Sequence, residues 1–94
     1  MTDRDDVDRM RDERDVEGLI RALGDDDEFV RAEAALSLGA IADPAAKEPL
    51  DRLRSEDASA SVREAAETAY RWVAGRLAEV EATKGTPTSP PPQR

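Results

Sequence analysis

The chain has 94 residues, with 14 basic against 22 acidic side chains (net charge −8), and only Phe29, Tyr70 and Trp72 are aromatic among its 38% hydrophobic residues. It contains no Cys and no His, which excludes thiol chemistry, disulfides, imidazole bases and the usual zinc sites. The negative charge opposes phosphate backbones and anionic lipid, and no apolar run reaches the length of a membrane span, so a soluble cytoplasmic chain with no nucleic-acid and no membrane partner is expected.

Residues 1–14 are charged, with Val7 and Met10 as the only internal apolar side chains, and read as a frayed or weakly helical segment. Residues 15–83 carry helical periodicity. The first helix runs through Val16, Leu19, Ile20 and Leu23, with Gly24 as its C-cap. The second begins among Asp25, Asp26, Asp27 and Glu28, whose carboxylates suit free N–H groups and the helix dipole. Asp43-Pro44 opens the third, with Leu50 and Leu53 on its inner face. The fourth starts near Ser61 and Glu64, which have capping-box spacing, and passes Val80 before Gly85 and Pro87 stop it. Residues 84–94 hold four prolines and are expected to be a disordered tail. Asp25 to Asp27 do not have the spacing of an EF-hand loop, and neither a metal nor a cofactor is expected.

Two segments repeat. Setting residues 25–41 over 57–73 aligns Asp25 with Asp57, Val30 with Val62, Arg31 with Arg63 and Ala34 with Ala66. At 100° per residue, Val30, Ala34, Ser37, Leu38 and Ile41 form one stripe, and Val62, Ala66, Ala69, Tyr70 and Val73 repeat it. Alanine accounts for 16 residues of the chain, and small residues inside a stripe let a partner helix approach closely. The predicted fold is all-α: two stacked helix-turn-helix repeats, about 15–42 and 43–83.

The segments "VEGLIRALGDDDEFVRAEAALSLGAIADPAAKEPLDRL" and "DASASVREAAETA" resemble HEAT repeats, specifically the short PBS-lyase-type HEAT-like form. Matching features are an apolar first helix, an Asp six residues before the Arg of a Val-Arg pair, and alanines on the second helix. Asp25/Arg31 and Asp57/Arg63 satisfy this pattern, and the 32-residue spacing is below that of long HEAT repeats. The resemblance implies a short α-solenoid in which each Arg crosses the inter-helix turn to an Asp of its own or a neighbouring repeat, a structural role. Arg54 and Ser55 depart from it, standing where the first repeat has Ala22 and Leu23. The Arg-rich, Lys-poor acidic composition also resembles that of proteins from salt-accumulating haloarchaea, and a high-GC actinobacterial genome gives a similar bias.

Flanking the shared stripe, Phe29, Leu36 and Ala40 should be covered by the second repeat, whose counterparts Ser61, Thr68 and Trp72 would form a terminal cap. Trp72 then reads either as a lid over the open end or as an exposed anchor, and Glu67, Arg71 and Ala74 would line the binding face beside it. With only two repeats to build a core, compensation is expected from a partner or from a weak homo-oligomer formed through the end carrying Trp72. The functional expectation is a non-enzymatic protein-interaction module, followed by an accessory of a chromophore-lyase-like enzyme and, third, a nucleic-acid binder.

Overall fold

The structure is a computed structural model that describes residues 4–85. These residues form five α-helices and one short 3-10 turn, without a strand among them: α1 (Arg4–Asp12), α2 (Val16–Ala22), α3 (Glu28–Ile41), the turn Pro44–Ala46, α4 (Lys47–Glu56) and α5 (Ala60–Gly85). Of the expected disordered tail, Lys84 and Gly85 belong to α5 and residues 86–94 lie outside the described residues, as does the side chain of Val80.

The entrances of α2, α3, α5 and the 3-10 turn that leads into α4 are each fixed by a short polar side chain, which satisfies donors the first turn leaves free. Asp15 accepts from Gly18 N at 3.0 Å, Asp27 from Phe29 N at 2.8 Å and Asp43 from Ala45 N at 2.8 Å. Pro44 sits in the first turn after its cap, where a missing N–H costs nothing. Two expected caps are displaced. Ser59, not Ser61, caps α5, its Oγ accepting from Val62 N at 3.4 Å, because the Asp57 carboxylate first accepts Ser59 N and sets that turn. Gly24 is not a left-handed cap either: α2 ends in tightened i→i+3 bonds, Gly24 N to Arg21 O and Asp25 N to Ala22 O, and no glycine has positive φ among the described residues.

The left-handed positions are Arg14 (φ 54°) and Ala42 (φ 60°), each immediately before an Asp that caps the next element. The α1–Arg14–Asp15–α2 junction therefore repeats the junction from α3 through Ala42 and Asp43 to Pro44, and α1 takes the place of a second helix of a preceding unit. A Cβ at positive φ is unfavourable, so Ala42→Gly is expected to raise stability by about 0.5–1 kcal/mol in urea unfolding, net of the glycine's greater unfolded-state entropy.

This corrects the reading of residues 1–14. Val7 is fully buried, and Met10 packs against the core beside Gly18, so the packed unit begins in α1 rather than at residue 15. The two apolar side chains lie three residues apart, on one helical face, and the charges around them stay outside.

The helices make two layers. α3 lies between α1 and α5 and packs on both, α2 packs on α1 and α3, and the 3-10 turn and α4 pack on α5. Leu19, Leu38 and Leu50 are fully buried between the layers, each contributing about 2 kcal/mol of transfer free energy. The alanines Ala34, Ala35, Ala66 and Ala69 are also fully buried. They serve mainly to admit neighbouring backbones.

α3 and α5 approach closely at Gly39. A Cβ built there would lie 2.8 Å from Ala69 Cα and 2.7 Å from Trp72 Cε3, so α3 and α5 meet backbone to backbone at a residue without a side chain. The expectation that Phe29, Leu36 and Ala40 would be covered by the second repeat is thereby overturned. Burial instead includes Ala35 and Gly39, four residues apart on one side of α3, while Phe29 and Ala40 remain exposed and Leu36 half-buried.

Ser37 is the one polar residue in the described core, and its hydroxyl has no hydrogen-bond partner. Its counterpart in the second unit is Ala69. An unsatisfied buried hydroxyl is destabilising, so Ser37→Ala is expected to raise the stability by about 1 kcal/mol, read as a Tm increase of roughly 4–8 °C.

Candidate interaction surfaces

Arg31, at the start of α3, joins the two units. Its Nε and Nη2 donate to Asp57 Oδ2 and Oδ1 at 2.8 and 3.0 Å, and its Nη1 donates to the carbonyls of Asp25 and Asp26 at 2.9 and 3.1 Å. One planar guanidinium thus closes its own turn and chelates a carboxylate of the next unit, geometry a lysine cannot supply. The pair is well shielded, with side-chain exposures of 17% and 6%. Hydrogen bonding from Arg31 holds the Asp57 carboxyl below its ordinary range, against the opposing effect of burial and with help from Ser59 N–H. Arg63 repeats only the carbonyl half of this arrangement, through Nη1 to Asp57 O at 2.6 Å. Asp25 accepts from Asp27 N at 2.9 Å, so this carboxylate serves the turn.

The far end of the stack carries a second charge network. Arg54 donates to Asp51 and Glu67, both at 2.9 Å, Glu67 also accepts from Arg71 at 3.2 Å, and the Arg54 guanidinium lies 3.9 Å above the Tyr70 ring. Arg54 holds the Glu67 carboxyl below its usual range, again against partial desolvation. Glu67 and Arg71 are the counterparts of Ala35 and Gly39, and Arg54, by the 31-residue shift that superposes the buried Leu19 and Leu50, is the counterpart of Leu23; Ala35, Gly39 and Leu23 are all buried in the first unit. Where the first unit offers apolar residues to its neighbour, the second offers a self-paired set of charges, so it ends the stack. The other end is closed by α1. α3 is thus packed on both sides, by α1 and by α5, and α1 adds Val7 to the core of the two units.

Trp72 does not belong to that end. It is 49% exposed and lies over Gly39 in the seam between α3 and α5, apart from the lid position that the sequence suggested. Its counterpart Ala40 is eleven residues from Phe29, three helical turns and about 20° apart in projection. Phe29, 66% exposed, thus shares one outward face with Ala40 and Trp72, and these two aromatics are the exposed large hydrophobics among the described residues. Ala74 is half-buried on α5, and Glu67 and Arg71 are tied into the network with Arg54.

Sequence reasoning missed the bonds of Arg54 to Glu67, the exposure of Phe29 and the close approach at Gly39. For Gly39 a signal was present, since an isolated glycine inside a helical pattern marks close backbone approach. On the opposite layer, Ile20, Leu23, Pro49 and Leu53 floor an open groove of about 340 Å³ rimmed by Arg52 and Glu56. Among the described residues there is no group of three or more acids placed to hold a metal ion, and no helix is long and apolar enough to cross a membrane.

Helix pairs stacked side by side, joined by an arginine that reaches from one turn to the next, define a short α-solenoid. A family model for HEAT repeats matches residues 6–71, a span that includes most of α1, and the chain belongs to the HEAT repeat family. No curated protein and no solved structure is similar enough to the chain to count as a match.

Proposed function

We propose that this chain is a protein-interaction module without catalytic activity of its own, and that it presents the outward face of α3 and α5 to another protein. HEAT repeats are commonly protein-interaction modules. One observation carries the placement: Phe29 and Trp72 stand exposed on the same face of the second-helix layer, where aromatic side chains supply much of the contact energy of an interface. Leu36 and Ala40 fill the surface between them, and Arg71 lies at its rim.

A photo-crosslinking residue placed at 29 or 72, with position 48 on exposed α4 as control, tests this in the native cytoplasm. Crosslinks to one protein from 29 and 72 but not from 48 are expected. Equal yield from all three positions contradicts the placement, and crosslinks only to the chain itself replace the foreign partner with a second copy.

The 32-residue spacing and the Asp25/Arg31 and Asp57/Arg63 pattern support the short PBS-lyase-type subtype, which makes an accessory role in a chromophore-lyase-like system the runner-up. A saturable absorbance shift on titrating a tetrapyrrole would favour it. The net charge of −8 supports the haloarchaeal composition, and screening of self-repulsion is expected to raise Tm as KCl increases from about 0.1 to 1 M.

A further inference from the structure

Arg63 repeats Arg31 in position, in the turn it caps and in one hydrogen bond. Its Nη1 donates to the carbonyl of Asp57 as Arg31 Nη1 donates to that of Asp25. The two differ at the other edge. Arg31 Nε and Nη2 chelate the carboxylate of Asp57, whereas the same atoms of Arg63 have no acceptor among the described residues. Asp57 itself is engaged, with Oδ2 on Arg31 Nε and Oδ1 shared between Arg31 Nη2 and Ser59 N. Arg63 is partly buried and pinned at one corner, so its chelating edge is oriented before anything binds.

We propose that the Nε–Nη2 edge of Arg63 is a docking point for a carboxylate of a partner protein. The carboxylate it fits is displayed as Asp57 displays its own: an Asp whose side chain also accepts the N–H two residues on, at the entrance to a helix. The surroundings narrow the partner further. A further HEAT unit stacked in register needs the small residues that Ala35 and Gly39 provide between α3 and α5, and Glu67 and Arg71, with Arg54 bonded to Glu67, stand in their places. The contact is therefore polar: an acidic turn of a different protein, held by charge-assisted bonds and sensitive to salt.

The test uses the full chain, 15N-labelled, and follows the arginine Nε–Hε resonances by NMR. The probe is an end-blocked peptide of sequence SEDASASV, residues 55–62 of this chain, which carries the Asp57 turn. A saturable downfield shift of Arg63 Hε is expected, at least about threefold larger than that caused by the same peptide with Asp57→Asn. The shift should fall by half or more as salt rises from about 50 to 500 mM. In Arg63→Lys, which lacks that reporter, the peptide-induced shifts of the backbone amides of residues 57–63 should be lost while the Arg31 Hε resonance stays in place. An equal shift with the Asn peptide, no shift at millimolar peptide, or an equal response to inorganic phosphate would each overturn the proposal. All three of these arms use the unsubstituted protein, so they hold whatever the Lys variant does.

Discussion

Gly39→Ala is expected to be the most damaging single-methyl change in this protein, lowering stability by about 3 kcal/mol and Tm by more than about 12 °C. The added Cβ would sit 2.8 Å from Ala69 Cα and Cβ, and backbone cannot rotate away as a side chain can. Separating α3 from α5 to make room would open the shared core over its length, in a domain whose total stability is of the order of 5 kcal/mol. Trp72→Ala in the same chain should recover only part of the loss, because the contact with Ala69 persists. Gly75→Ala provides the matched control. It lies in α5 with nothing within 4 Å of a built Cβ, so the same substitution should there stabilise by up to about 1 kcal/mol through helix propensity. Thermal and urea unfolding of the two variants should move in opposite directions.

Arg31→Gln is expected to cost about 3 kcal/mol, since it strands a shielded Asp57 carboxylate and two turn carbonyls at once. Arg31→Lys should restore little of this, because an ammonium cannot reproduce the two-pronged bond. The pair also predicts a pH dependence. Asp57 has a folded-state pKa depressed below its unfolded value, so its stabilising contribution is complete above about pH 4 and disappears as pH falls through the lower folded value. Urea midpoints measured across acid pH should therefore drop more steeply for the parent chain than for Arg31→Gln or Asp57→Asn. Identical acid limbs would show that the pair contributes nothing to folding.

Much of this architecture could be read from residue order alone. The helix periods, an Asp cap among residues 25–27, the Asp cap at 43 and the repeat of Val-Arg were legible because each depends on spacing within one element. The N-terminal segment was misjudged since its composition is dominated by charge, and one fully buried Val7 with Met10 beside the core suffices to dock a nine-residue helix. The rotation of α3 against α5 was hidden for a different reason. Phe29 and Leu36 look like core on hydrophobicity, whereas backbone proximity selected Ala35 and Gly39, whose value lies in the volume they lack. The end cap was half visible: Arg54 was recognised as a departure from the repeat, but its bonds to Glu67 and its stacking on Tyr70 join residues from two helices that no local pattern connects.

The fold and the surface it presents depend on α3 and α5 meeting at Gly39, with Phe29 and Trp72 left on the outside. Nuclear Overhauser contacts from the Gly39 α protons test that contact directly. Strong cross-peaks to the Ala69 methyl and to Trp72 Hε3, with none from the Phe29 ring to α5, are predicted. Cross-peaks from Phe29 and Leu36 to α5, and none from Gly39, would contradict the seam and the surface assigned from it.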